Sequence, residues 1–95
     1  MFARITQYKM KDGSRPAATA LLEELKDKIM ALDGMIRFIN VMNEDGTGYV
    51  ISVVRDEATS NANAPHVAEI WGAFASYLEE APIPKGYDVV VDWAN

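Results

Sequence analysis

The segment from Tyr49 to Arg55 is typical of a β-strand that carries large apolar side chains on both faces. Alternate residues of a strand point to opposite sides, so one face holds Tyr49, Ile51 and Val53 and the other holds Val50 and Val54. The segment Met35–Asn43 has the same two-sided character. A sheet built from such strands needs cover on both faces, because monomers seldom leave a large apolar patch in water.

Two further strands and two helices complete the pattern. Phe2–Lys9 and Tyr87–Trp93 are predicted to be the first and last strands. A first helix, capped by Ser14 and ended by Asp33-Gly34, has an apolar stripe at three- and four-residue spacing: Leu21, Leu22, Leu25, Ile29 and Leu32. A second helix opens near Asn63 and carries the stripe Val67, Ile70, Trp71, Phe74 and Leu78. The polar stretch Asp56–Asn63 is predicted to be a connection.

The order β-α-β-β-α-β predicts a ferredoxin-like α+β fold, formed by residues 1–95 as a single domain. Its usual form is a four-stranded antiparallel sheet with two helices on one face. Two helices cover only one of the two apolar faces, so the economical cover for the other is a second copy of the same sheet. The sequence therefore predicts a homodimer, and the alternative is a monomer with scattered apolar residues on its surface.

Charge and composition exclude several classes of partner. The net charge of −5 and the pI near 4.7 disfavour nucleic acid and anionic membrane surfaces. No apolar run reaches the roughly 18 residues of a membrane span, and no signal peptide is recognisable, so we expect a cytoplasmic protein. Cysteine is absent. His66 is the only histidine and lacks a set of partner ligands, so no metal site is predicted.

Several local motifs together resemble the dimeric α+β barrel superfamily, in particular its antibiotic-biosynthesis-monooxygenase-like domains. The motifs are Lys11-Asp12-Gly13, Leu32-Asp33-Gly34-Met35, the hairpin at Asp45-Gly46, Val53-Val54-Arg55-Asp56-Glu57, the helix around Phe74, and Tyr87-Asp88-Val89-Val90-Val91. The resemblance spans nearly the whole chain. It implies two sheets packed face to face and a pocket between sheet and helices in each subunit. Relatives include cofactor-independent oxygenases of aromatic polyketides, haem-degrading enzymes and quinone-related enzymes.

The chain departs from this family at two places. Many relatives end the third strand with a tryptophan before acidic residues, whereas Arg55-Asp56-Glu57 stands there. The haem-degrading branch uses an asparagine on the first strand, but that strand has Gln7 instead. His66 precedes Trp71 by five residues, a rotation of about 140° on a helix, so the two do not share a face. The haem site is not carried over, and no cofactor is expected.

Five residues are the candidates for a site. His66 is the predicted catalytic base, with a solvent-facing position at the helix start as its alternative. Arg37, Asn40 and Tyr8 are predicted to orient a substrate oxygen, although Arg37 and Asn40 would also fit an exposed edge strand. Trp71 would line a pocket for a flat ligand or pack in the core. Asp88 and Asp92 share a strand face; their default position is solvated or at a rim, and pairing with Arg4 or Arg37 is the alternative.

Two functions fit this pattern. The first is a cofactor-independent monooxygenase acting on a small aromatic or quinone-like molecule, in which a desolvated pocket stabilises a substrate anion that reacts with oxygen. The second is a non-catalytic homodimeric module that binds a small apolar ligand or supports another protein. A closed pocket onto which His66 and at least two other polar groups converge would favour the enzyme, and a solidly packed core would favour the module.

Overall fold

A computed structural model of the chain describes all 95 residues. The strands are β1 (Phe2–Lys9), β2 (Met35–Met42), β3 (Thr47–Val54) and β4 (Ile83–Asp88). The helices are α1 (Arg15–Glu24), α2 (Lys26–Met30), α3 (Glu57–Ala62) and α4 (Ala64–Ala73), and a short 3₁₀ turn spans Ala75–Tyr77. None of the helices is long and apolar enough to cross a membrane.

The four strands form one antiparallel sheet in the order β2-β3-β1-β4. The two central strands, β1 and β3, come from the two halves of the chain, as the ferredoxin-like pattern predicts. Ile5 of β1 lies opposite Ile51 of β3, which in turn lies opposite Ile39 of β2. The predicted fold class, with a four-stranded antiparallel sheet, is thus confirmed.

The register assigns each side chain to one of two faces. The inner face, which the helices cover, holds Arg4, Thr6 and Tyr8 of β1, together with Phe38, Asn40, Met42, Val50 and Ser52 of the neighbouring strands. The outer face holds the alternate residues, including the row Ile5, Ile51 and Ile39. A bulge between Met35 and Arg37 interrupts this alternation at the start of β2.

The helices cover the inner face and leave the outer face open. Tyr8, Met10, Ala18 and Phe74 form the buried centre of the core, with the stripes of both predicted helices packed around them. On the outer face Ala3 and Val53 are buried, but five larger apolar side chains are well exposed: Ile39 39%, Val41 45%, Tyr49 45%, Ile83 59% and Tyr87 43%. The shortage of cover expected from the sequence is therefore present in the single chain.

The last strand lies earlier in the chain than predicted. The prediction was Tyr87–Trp93, but β4 spans Ile83–Asp88 and pairs with β1 from Gln7↔Ile83 to Phe2↔Asp88. Pro84 is tolerated because β4 is an edge strand, where a missing N–H leaves no ladder bond unmade. The valines beyond it belong to a terminal segment without regular structure.

This C-terminal tail, residues 89–95, turns from β4 towards the opposite edge of the sheet. The Val89 N–H donates to the Met1 carbonyl oxygen at 3.2 Å. Asp92 then pairs with Arg37 of β2 at 3.6 Å, as the alternative for that carboxylate predicts. Farther on, the Trp93 side chain is 88% exposed.

The polar stretch predicted as a connection contains a helix instead. Asp56 has extended backbone angles and accepts a hydrogen bond from the Thr59 N–H at 2.7 Å, which caps α3. The first predicted helix is divided at Leu25 into α1 and α2, and the second ends at Ala73 rather than Leu78. The added helix matters for the site because it brings Ser60 beside β1.

Candidate functional site

The inner face and the helices enclose a cavity of about 70 Å³, called the inner cavity below. Of its 18 lining residues, 14 are hydrophobic. The polar residues that border it are Arg4, Thr6, Asn40 and Ser52, and the hydroxyl of Tyr8 also faces this region. Such a sheltered apolar space with few polar groups is typical of a small-molecule site.

Tyr8 and Asn40 form the main polar contact of this cavity. The buried Tyr8 hydroxyl donates to Asn40 Oδ1 at 2.6 Å and lies 3.1 Å from the Val41 carbonyl oxygen. Burial raises the pKa of this hydroxyl above its usual value of 10.0, although the Asn40 hydrogen bond acts in the opposite direction. With its oxygen engaged by Tyr8, the Asn40 side-chain N–H₂ donates to no protein atom. Asn40 lies exposed on the edge strand β2, as its alternative predicts, so this N–H₂ is open to solvent as well as to a ligand.

Gly48 explains how Tyr8 reaches across β3. It lies directly between Tyr8 of β1 and Met42 of β2 in the register. A Cβ atom at this position would lie 2.6 Å from the Tyr8 hydroxyl oxygen and 2.7 Å from its Cζ. The absence of a side chain thus lets the tyrosine ring cross the central strand to contact Asn40.

Aromatic rings from α4 form the opposite wall. The Trp71 ring centroid lies 5.8 Å from that of Tyr8, at an interplanar angle of 52°, and 6.3 Å from that of Phe74 in an edge arrangement. These separations are in the favourable range for aromatic pairs. Trp71 therefore lines the cavity and packs against the core at once, so both of its expected roles apply.

A second depression adjoins the inner cavity between α4 and β4. It lies on the inner face of the sheet, nearer to solvent than the inner cavity, and is called the outer groove. Its volume is about 370 Å³, and it is open to solvent. It shares four lining residues with the inner cavity: Arg4, Thr6, Val67 and Trp71. An engineered apolar cavity of about 150 Å³ holds a benzene ring, so an aromatic ligand would need part of this groove or a side-chain movement.

Arg4 is the charged residue at the junction of the two spaces. Its Nε and Nη2 donate to Ser60 Oγ at 3.1 and 3.0 Å, and Nη2 lies 3.5 Å from Asn61 Oδ1. From the sequence, Arg4 is expected only as a partner for a carboxylate. Strand parity places Arg4 on the same face as Thr6 and Tyr8, but it does not show that α3 packs beside it.

The structure separates the five predicted site residues into two groups. Tyr8, Asn40 and Trp71 meet at the inner cavity. Arg37 lies on the outer face, where it pairs with Asp92. His66 is exposed on α4 and borders neither the inner cavity nor the outer groove. The 140° rotation between His66 and Trp71 accounts for this, since only Trp71 turns towards the sheet.

No family model matches the sequence, and no curated protein is similar to it. Solved structures share its fold at low identity. A protein of unknown function from Nitrosomonas europaea has a TM-score of 0.81 at 18% identity, covering 99% of this chain and 93% of its own. Another from the same organism, provisionally named an antibiotic biosynthesis monooxygenase, has a TM-score of 0.79 at 14% identity, covering 96% and 100%.

A third structure, from Deinococcus radiodurans and provisionally named in the same way, has a TM-score of 0.77 at 10% identity, covering 100% of this chain and 98% of its own. The shared fold extends over nearly the full length of the compared chains. The resemblance noted from the sequence motifs is thus confirmed at the level of the fold.

Proposed function

We propose that this chain is an antibiotic-biosynthesis-monooxygenase-like protein that binds a small aromatic or quinone-like molecule between its sheet and helices. The observation that carries the proposal is the inner cavity, an apolar space at which Tyr8, Asn40 and Trp71 converge. The likeness of fold to structures provisionally named as monooxygenases supports it. We also propose that the protein is located in the cytoplasm.

The proposed reaction is oxygenation of a bound phenol by molecular oxygen. One oxygen atom forms a new carbon–oxygen bond to the ring, a ring hydrogen and the phenolic hydrogen are lost, and the second oxygen atom leaves as water. For 1-naphthol the balanced products are 1,4-naphthoquinone and water. The substrate reacts as its phenolate, and the free N–H₂ of Asn40 would hold the phenolate oxygen.

The experiment measures oxygen consumption and quinone formation with 1-naphthol at a pH near its ionisation. We expect the wild type to turn over 1-naphthol. Turnover should be at least about tenfold lower in Tyr8→Phe, because the Asn40 amide is then no longer held by Tyr8 and loses its orientation. Tyr77→Phe is the matched control, since Tyr77 packs near the core but borders neither space. No oxygen consumption above that of heat-denatured protein would contradict the proposed activity.

The role of His66 as the base stays a prediction and has its own test. Its exposed position gives it no direct path to the inner cavity. A loss of turnover of about tenfold in His66→Ala would support the prediction, since general-base catalysis contributes at least that much. Unchanged turnover would remove His66 from the mechanism and leave substrate ionisation to the solvent.

A second candidate function is a non-catalytic binding module, and one observation favours it. The inner cavity is bordered by neither a histidine nor a carboxylate, and its tyrosine has a raised pKa. At neutral pH it therefore offers no ready proton acceptor. Saturable binding of 1-naphthol without oxygen consumption would select this function over the oxygenase.

We further propose that the chain works as a homodimer whose outer faces pack together. Ile39, Val41 and Tyr49 are exposed side by side on β2 and β3. Covering about 600 Å² of apolar surface per dimer would contribute roughly 15 kcal/mol before the cost of association. A second copy of the sheet is the symmetric way to provide that cover.

The dimer is tested by sedimentation at micromolar concentration. Ile51→Glu places a charge in the central row of the outer face and should convert the dimer to a monomer. Ala20→Glu, on the exposed side of α1, is the matched control and should sediment like the wild type. A wild-type protein that sediments as a single 10.5 kDa chain would refute the assembly.

A further inference from the structure

We propose that the ligand of the inner cavity is an aromatic carboxylate, and that Arg4 recognises its charged oxygens at the entrance. The inference rests on the proposed binding function and adds the ligand's charge, its direction of entry and the residue that selects it. The geometry of Arg4, its unused donors and the composition of the outer groove support it independently.

The position of Arg4 is unfavourable for a charged side chain unless an anionic partner or ligand offsets the loss of hydration. It lies on the inner face of a central strand, in line with Thr6 and Tyr8, both buried. Partial removal of a guanidinium from water has a free-energy cost that neutral hydrogen bonds only partly offset. An apolar residue at this point would pack against α3 and α4 without that cost.

The arginine has no anionic partner in the chain. Arg37 pairs with Asp92, and Arg55 pairs with Asp33 and Asp56, but Arg4 takes part in none of the four ion pairs. Its contacts are the Ser60 hydroxyl and the Asn61 amide, both neutral. Arg15 also takes part in no ion pair, but it is exposed at the start of α1, whereas Arg4 is half-buried.

The guanidinium also keeps donors free. It carries five N–H groups in a planar fork, and the bonds to α3 engage only Nε and Nη2. Both hydrogens of Nη1 are without a protein acceptor. Ser60 and Asn61 thus hold the fork in place while one edge remains available, which is the arrangement needed to bind an oxyanion.

The outer groove fits a flat, apolar, negatively charged molecule. Besides Arg4 and Thr6, its walls are Ala64, Val67, Ala68, Trp71, Pro82 and Pro84, so no carboxylate opposes an incoming anion. The same Arg4 borders the inner cavity. A ligand with its oxyanion on Arg4 can therefore extend its rings inward along Trp71 towards Tyr8 and Asn40.

The test compares two probes of nearly equal shape, 2-naphthoate and 2-naphthamide, by calorimetry at pH 7. We expect the wild type to bind the naphthoate at least about tenfold more tightly than the amide, as a charge-assisted hydrogen bond allows. Arg4→Gln should reduce the ratio to about twofold or less by weakening only naphthoate binding. Lys26→Gln changes the net charge equally, lies exposed on α2, and should keep the wild-type ratio.

The outcomes separate this inference from the function on which it rests. Equal wild-type affinities, or an unchanged ratio in Arg4→Gln, would overturn the role of Arg4 but leave an aromatic ligand in the cavity. Failure of both probes to bind the wild type would overturn the proposed ligand class as well. Equal losses for both probes in Arg4→Gln would show that Arg4 only tethers α3 to β1, and would likewise overturn the inference.

A measurement on the wild type keeps the inference testable if Arg4→Gln does not fold. The ¹⁵N resonance of Arg4 Nε, assigned with Arg4→Lys, should shift on addition of 2-naphthoate and stay unchanged with 2-naphthamide. The resonance of Arg55 serves as the internal reference, because its partners Asp33 and Asp56 lie away from the groove. An unmoved Arg4 signal at saturating naphthoate would overturn the inference.

Discussion

Replacing Gly48 by alanine should destabilise the protein strongly, and replacing Gly72 should do the opposite. An alanine Cβ at position 48 would collide with the Val41 carbonyl oxygen and with the Tyr8 ring, 2.6–2.7 Å away. The main-chain oxygen cannot move without disturbing the β2–β3 ladder. At position 72 no atom lies within 4 Å of the added Cβ, so the methyl group enters open space.

The expected changes in the free energy of unfolding follow from these contacts. Overpacking of this kind costs about 1–3 kcal/mol, and displacement of Tyr8 from Asn40 adds about 1 kcal/mol for the lost hydrogen bond. A total of roughly 2–4 kcal/mol corresponds to a fall in Tm on the order of 10–20 °C for a domain of this size. Gly72 lies within α4, where alanine is favoured by about 1 kcal/mol over glycine.

The assay is thermal unfolding followed by far-UV circular dichroism at one fixed protein concentration, because dissociation of a dimer would make Tm depend on concentration. Binding of 1-naphthol reports separately on the position of Tyr8. A Gly48→Ala protein with Tm within about 2 °C of the wild type and unaltered probe binding would refute the argument that the tyrosine ring occupies this space.

Three further predictions concern titration and the chain ends. Because burial raises the Tyr8 pKa, its contribution to stability is present below pH 10.0 and falls as pH rises through the folded pKa, so the stability difference from Tyr8→Phe should shrink as pH rises above 10.0 in urea titrations; a constant difference would contradict this. Hydrogen bonds from the Thr59 side chain and N–H lower the Asp56 pKa below 3.8, so Asp56→Ala should reduce Tm at pH 7, and the reduction should become smaller as pH falls below 3.8 through the folded pKa; equal reductions would argue against a charged cap. Asp92→Asn should change stability by less than about 1 kcal/mol, since its ion pair with Arg37 is partly exposed, yet should increase proteolysis of the tail; an unchanged cleavage rate would show that the pair does not hold the tail.

The sequence predicts the fold well where side-chain periodicity follows burial. The apolar stripes predict a layer of helices, and the two-sided strands predict a sheet. The common arrangement of these two layers is a sheet with the helices packed on one face. The last strand is misplaced because Val89, Val90 and Val91 have high β-propensity, whereas Pro82 and Pro84 suggest a break. Strand propensity depends on context, and an edge position lets Pro84 pair where the valines do not.

The candidate site is predictable to the extent that strand parity determines it. Tyr8 on β1 and Asn40 on β2 meet because both point to the inner face, and Trp71 lies on the helix stripe that covers them. Arg4 has the same parity as Tyr8, but a lone arginine in a strand is usually solvated, so its place is evident only once α3 is known to pack beside it. In the sequence, the only feature that indicates the short helix α3 is Asp56, a residue type that caps helices.

The small volume of the inner cavity has a consequence for the kinetics of ligand entry. At about 70 Å³ it cannot admit an aromatic ring until a wall residue shared with the outer groove, Trp71 or Val67, changes rotamer. Such a step is unimolecular, so the observed association rate should reach a plateau at high ligand concentration instead of rising without limit. A smaller residue in place of Trp71 would then accelerate both entry and escape of the ligand. In the wild type, rotation of this one side chain would therefore set the residence time of the ligand.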